Sequence, residues 1–227
     1  MAKGSLGNRL HNHQCGGLSL GAVMCISVDI ACALDYLHNL CIPPVVHCDL
    51  KPSSILFDND DTARVCDFGL AKLIHGCSSG EQSGTTSIVG PRGAIGYIPP
   101  EYGMGGEISI EGDIYSYGIV LLEMLTRKRP TNEEFNDGLT LRKYVEASLS
   151  QTQDILQPGL TSVTGDPFVD QMPNFQECNA FVLKDMCPLG LLKLGLLCSA
   201  ESPKDRPAMH DVHNEVTKVK RGVFLHG

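Results

Sequence analysis

The chain has 227 residues, 42% of them hydrophobic and 19% charged, enough to bury an ordinary core without dividing into several domains. Its formal net charge of -8 gives no bulk attraction for nucleic acid or anionic lipid, so a phosphate-bearing ligand has to be held by local groups. The 10 cysteines sit in a chain too long for a disulfide mini-protein and without a signal-peptide pattern at its start; Cys25, Cys32, Cys66 and Cys198 fall within apolar patterns and are expected to be small buried hydrophobes in a reducing compartment.

Residues 1–18 form a Gly/Asn/His-rich lead-in with a short helix expected around Ser5 to His11. His11, His13 and Cys15 imitate a metal cluster but lack a second pair of ligands at metal-site spacing. From Ser19 to about Leu40 apolar residues recur at the helical interval, at Leu20, Val23, Met24, Ile30, Leu34 and Leu37, and Pro43 with Pro44 ends the helix. The stretch Leu18 to Leu34 is interrupted by Asp29, so no stretch is expected to span a membrane. Val45 and Val46 predict a short strand. Ile55 to Phe57 and Ala63 to Cys66 predict a hairpin, because Asp58-Asn59-Asp60-Asp61 between them supplies turn-forming residues.

Residues 70–96 are rich in Gly, Ser and Thr without an apolar period and predict a long mobile loop. Asp113 to Arg127 is hydrophobic nearly all round, which predicts a central buried helix. An amphipathic segment follows at 139–149, then a poorly patterned stretch at 150–180. Two further helices are expected at about Leu189 to Cys198 and Met209 to Lys220, with Pro203 and Pro207 between them. His210 and His213, one turn apart, read as a solvated helix face. No internal repeat is present, and the architecture expected is mainly α with one small hairpin.

Chemistry gathers around that hairpin. His47-Cys48-Asp49-Leu50-Lys51-Pro52 precedes it, Asp67-Phe68-Gly69 follows it, and Pro100-Glu101-Tyr102 comes later. Each piece is weak alone; their order and separations make them specific.

With Ala33 to His38, Gly96-Tyr97, Arg129-Pro130-Thr131 and Leu196 through Pro207, these motifs resemble the C-terminal lobe of plant receptor-like protein kinases, nearest the leucine-rich-repeat receptor class. The resemblance runs from Gly4 to about Val219 and is weakest over 150–185. It implies an α+β, mainly α, lobe of the protein-kinase-like fold spanning 1–227, in which the γ-phosphoryl of ATP, bound with Mg²⁺, passes to a protein hydroxyl. Lys51 with Pro52 is the serine/threonine form of the loop. Carried over residue by residue, Asp49 is the catalytic base and Lys51 the cation beside the transferring phosphoryl. Asp67 is the Mg²⁺ ligand, and His47, Phe68, Gly69, Asp113 and the ion pair Glu101–Arg206 are structural. The parent family places such a domain on the cytoplasmic side of the plasma membrane, with protein substrates and receptor-kinase partners.

Four departures from the family pattern stand out. The 227 residues contain no Gly-x-Gly-x-x-Gly turn and no Val-Ala-x-Lys strand, so the N-terminal lobe is expected to be absent. Ser54 replaces a metal-binding Asn, and a hydroxyl is a weaker, shorter-reaching ligand. Cys48 replaces an Arg that reads a phosphorylated loop, as in the non-arginine subclass. Ala94 replaces a Thr that bonds the base. Three readings therefore stay open: a protein kinase with its small lobe missing from the chain and near-inert alone, a pseudokinase-type binding module that self-associates or joins intact receptor kinases through the uncovered surface, and a decayed fragment without a stable fold.

Overall fold

The computed structural model describes residues 3–12, 17–74, 93–136, 138–158, 160 and 187–224. Its centre is a helix, α4 (Ile110–Thr126), with 14 of 17 residues buried, which is why the sequence there is apolar on every side. It begins one residue after Ser109, about a turn earlier than expected, with Glu111 and Asp113 in the first turn where carboxylates favour the helix dipole. Among the described residues other helices surround it or lie at the rim: α1 (Leu6–His11), α2 (Leu20–Asp35), α3 (Pro100–Gly103), α5 (Leu141–Ala147), α6 (Thr152–Ile155), α7 (Cys187–Cys198) and α8 (Met209–Phe224). α7 lies against α4 at a pair of glycines: a β-carbon on Gly118 would come within 2.7 Å of the Gly195 carbonyl oxygen, so only bare backbone permits this approach.

Helix starts follow their caps. Ser5 and Ser19 accept from the amides of Asn8 and Ala22, at 3.3 and 3.2 Å, and so satisfy one orphan donor of α1 and α2. At its far end α2 widens into a π turn, Tyr36–Leu40, closed by the Cys41 amide on the Tyr36 carbonyl at 3.1 Å. The rod Leu20–Leu40 is 21 residues long and apolar enough to cross a membrane by length and composition, which corrects the expectation that no stretch reaches that length; half of its most apolar window is buried in the lobe, where it packs on α4 and α8 as a core helix does.

The hairpin pairs β2 (Ile55–Phe57) with β3 (Ala63–Val65), Ile55 opposite Val65 and Phe57 opposite Ala63. Asp58 holds its tip, accepting from the amides of Asp60 and Thr62, both at 3.0 Å. A second two-stranded sheet was not foreseen. β1 (Val45–Val46) pairs with β4 (Lys72–Leu73), which lies inside the stretch read as loop. Residues 75–92 of that loop, and 159 with 161–180 of the poorly patterned 150–180, lie outside the described residues, as do His13 and Cys15.

The burial of the described cysteines is uneven. Cys198 is buried; Cys25 and Cys66 are half-buried; Cys32 is exposed, a correction that arises because its face of α2 looks into an open groove and not into the core. His210 and His213 also differ from a simply solvated face. Their Nδ1 atoms lie 3.3 and 3.6 Å from Asp35 Oδ2, tying α8 to the end of α2.

Candidate active site

β1 leads straight into the loop 47–54, and one buried carboxylate shapes that loop. Asp113, 1% exposed on α4, accepts from the His47 amide (2.7 Å) and from His38 Nε2 (2.9 Å) on Oδ2, and from the Cys48 amide (2.9 Å) on Oδ1. Two successive amides can converge on one carboxylate because Cys48 takes a left-handed backbone, φ 68°. The Cys48 thiol is buried and donates to the Val46 carbonyl oxygen at 3.5 Å.

His47 then joins the two halves of the site. Its Nδ1 accepts from the Asp49 amide at 3.3 Å, which leaves Nε2 to carry the proton and donate to the Cys66 carbonyl oxygen at 2.9 Å. Its ring meets Phe68 edge-on, with centroids 5.0 Å apart. Asp49 and Asp67 are thus brought together through one imidazole, each next to a group that the ring holds. Asp67 sits in the left-handed region, φ 67°, with its side chain exposed, and Gly69 lies close to its carboxylate: a β-carbon there would be 3.6 Å from Asp67 Oδ1.

Asp49 is 9% exposed. Lys51 Nζ donates to its Oδ2, while Oδ1 is buried without a hydrogen-bond partner among the described residues. Over that oxygen passes the segment 93–98. Gly93, φ +116°, allows it to come close: a β-carbon there would lie 2.8 Å from the Cys48 carbonyl oxygen and 3.8 Å from Asp49 Oδ1. An unpaired buried carboxylate oxygen is costly, and this atom has room in its hydrogen-bonding capacity for a donor that the described residues do not supply.

Ser54 faces the loop backbone. Its hydroxyl donates to the Lys51 carbonyl oxygen (2.8 Å) and accepts from the Lys51 amide (3.0 Å), and the Asp49 carbonyl oxygen is 3.3 Å away. Farther off, Arg206 grips Glu101 with two bonds of 2.6 and 2.8 Å, from a side chain that is fully enclosed.

Sequence reasoning did not single out three participants. His38 was read only as part of a helical motif, yet the π turn aims it at Asp113. Glu123 is 1% exposed, its carboxylate meeting His11 Nε2 at 2.7 Å and the Tyr97 hydroxyl at 2.5 Å. The signal for it was present: a carboxylate on a helix buried all round must find partners. Ser116, whose hydroxyl donates to the Tyr97 carbonyl oxygen at 2.8 Å, gave no such signal.

Residues 1–215 match the protein kinase domain model. Among known proteins the chain is similar to the receptor kinase-like protein Xa21 of Oryza sativa subsp. japonica, with 43% identity over 208 residues, 91% of this chain and 19% of that protein. It is also similar to the LRR receptor-like serine/threonine-protein kinase EFR of Arabidopsis thaliana, with 40% identity over 199 residues, 88% of this chain and 17% of that protein. The chain spans under a fifth of the length of these relatives. A domain match over nearly the whole chain, together with the loop 47–54, the hairpin and Asp67, makes the chain a member of the protein kinase family, of the plant leucine-rich-repeat receptor-like serine/threonine kind.

Proposed function

We propose that these residues form the floor of a serine/threonine phosphotransfer site, in which Asp49 accepts the proton of a protein hydroxyl at its unpartnered Oδ1. That orphaned, buried oxygen under Gly93 is the observation that carries the reading. Lys51, paired with the other oxygen of Asp49, supplies the cation that steadies negative charge beside it. Asp67, exposed and held at a fixed backbone turn, is the residue that would hold Mg²⁺; the exposed carboxylate suits a hard, oxygen-seeking cation. Mg-ATP, when bound, supplies the phosphoryl group and neutralises its charge. Ser54, with its hydroxyl committed to the Lys51 backbone, holds the loop more than it holds a metal.

Within the 227 residues nothing answers to a Gly-rich phosphate loop or a strand lysine, and Ala94 offers no hydroxyl toward Asp49. Each missing electrostatic donor typically costs ~10² to 10³ in rate, so the chain by itself is expected to transfer phosphate at least about a hundredfold below the ~1 to 100 per second of kinases generally. Incubating the chain with radiolabelled ATP, Mg²⁺ and a serine/threonine-rich protein, beside an Asp49→Asn variant, checks this. Slow incorporation that disappears in Asp49→Asn is the expected result. Incorporation that Asp49→Asn leaves unchanged would show that this carboxylate is not the base.

A second reading, association through an uncovered face, is favoured by one observation. Tyr36, Leu40, Ile42, Phe68, Leu70 and Leu73 are all large, apolar and at least 45% exposed. A groove of about 480 Å3 runs between α2, the hairpin and Phe68. Tyr36 and Phe68 line that groove, and exposed apolar surface in quantity usually marks an interface. Self-association of the chain at micromolar concentration is expected in sedimentation velocity, weakened by the double substitution Tyr36→Ser/Leu73→Ser. A monomer at all concentrations would dismiss this reading.

A further inference from the structure

We infer that α1 acts as a distal clamp on the segment that covers Asp49: through His11 and Glu123 it holds Tyr97, so α1 and residues 93–98 gain and lose order together. The transfer reading is not needed for this, since no chemical step enters.

Glu123 is enclosed on α4 with both oxygens occupied, Oε1 by His11 Nε2 of α1 and Oε2 by the Tyr97 hydroxyl. Burial first, and then the charge of Glu123, pushes the Tyr97 phenol far above its ordinary range, so it remains a donor throughout neutral pH. The segment has other ties among the described residues. Ser116 bonds the Tyr97 carbonyl oxygen, the Tyr97 amide turns back to the Ala94 carbonyl oxygen at 3.0 Å, and Gly96 packs on Pro130. On the other side α1 has six residues, too few to hold a helix unaided. Its far end is fixed by His11 and by Arg127, which donates from Nε to the Leu10 carbonyl oxygen at 2.6 Å and from a terminal nitrogen to the Asn12 carbonyl oxygen at 3.2 Å.

The link is one of satisfaction. Removing either donor leaves a buried carboxylate oxygen unpaired, and such an oxygen stays unpaired only if the structure around it pays in order. Relief comes from local opening that admits water, and the elements that carry the two donors are α1 and the segment 93–98. α4 cannot yield, because it is the core of the lobe.

Amide hydrogen exchange on the full chain tests this. His11→Ala should speed exchange of the peptide spanning 93–98 by about tenfold while amides of α2 and α7 keep their parent rates. His11→Gln, whose amide N–H reaches the same oxygen, should restore the parent rate to within about twofold. An unaltered 93–98 peptide in His11→Ala overturns the inference, and so does acceleration spread equally over α2 and α7, which would signal general loosening. If His11→Ala does not fold, Tyr97→Phe is read in the opposite direction: the coupling requires faster exchange at the Asn12 amide, which bonds the Asn8 carbonyl oxygen at 3.0 Å, and an unchanged rate there overturns it.

Discussion

Replacing Asp113 with alanine is expected to cost the fold about 3 to 5 kcal/mol, a large share of the ~5 to 15 kcal/mol by which domains are stable. The carboxylate is almost fully enclosed and serves three donors, the amides of His47 and Cys48 and the ring of His38. Its loss strands two buried N–H groups at ~1 to 3 kcal/mol each, and it strands His38, whose Nδ1 already lacks a partner among the described residues. Asp113→Asn keeps the shape but turns an NH₂ toward donors, so it should fall between alanine and the parent. Urea unfolding followed by far-UV circular dichroism would show the shift as a lower midpoint with an unchanged slope. A difference below about 1 kcal/mol between Asp113→Ala and the parent would mean that water or a neighbour replaces the carboxylate. Because the same two amides set the course of the loop into Asp49, the variant should also lose any Asp49-dependent transfer.

Much of this site was legible because its residues repeat the motif order of the protein kinase family. The hairpin could be read from Asp58-Asn59-Asp60-Asp61, since Asp58 bonds its own turn, a local interaction that leaves its mark in adjacent residues. α2 could be read from its period and from Ser19, and α4 from its lack of any polar face. What escaped was non-local. β4 is two residues long and shows no alternation, so only its pairing with β1 defines it. Cys32 looked like a core residue because its neighbours on α2 are apolar; nothing in the order of residues records that the groove beside it is open. His11 and Glu123 meet at 2.7 Å across 112 positions of sequence, and each looks ordinary in its own segment. Ser54 shows the limit most plainly, because the residue type does not record that its hydroxyl meets the Lys51 main chain.

Arg206→Ala is the other large effect expected, at about 3 kcal/mol, and its size rests on an asymmetry within the pair. All five N–H donors of Arg206 are engaged: Nε with the Ala200 carbonyl oxygen, and the two terminal nitrogens with both oxygens of Glu101 and with the carbonyl oxygens of Glu111 and Glu201. The side chain is wholly enclosed, whereas Glu101 keeps 18% of its side-chain surface in contact with solvent. Removing the arginine therefore strands three main-chain acceptors as well as a carboxylate that water can only partly reach. Glu101→Gln, in contrast, keeps an acceptor for the guanidinium and should cost about half as much. Lysine cannot substitute, because a single ammonium with three donors cannot reach five acceptors arranged around a planar fork. The double variant Glu101→Ala/Arg206→Ala should be less destabilised than the sum of its single changes, because neither is then left facing an abandoned partner. Thermal or urea unfolding of the four proteins closes the cycle; an Arg206→Lys variant as stable as the parent, or Glu101→Gln costing more than Arg206→Ala, would contradict the assignment of Arg206 as the brace between α3 and the turn preceding α8.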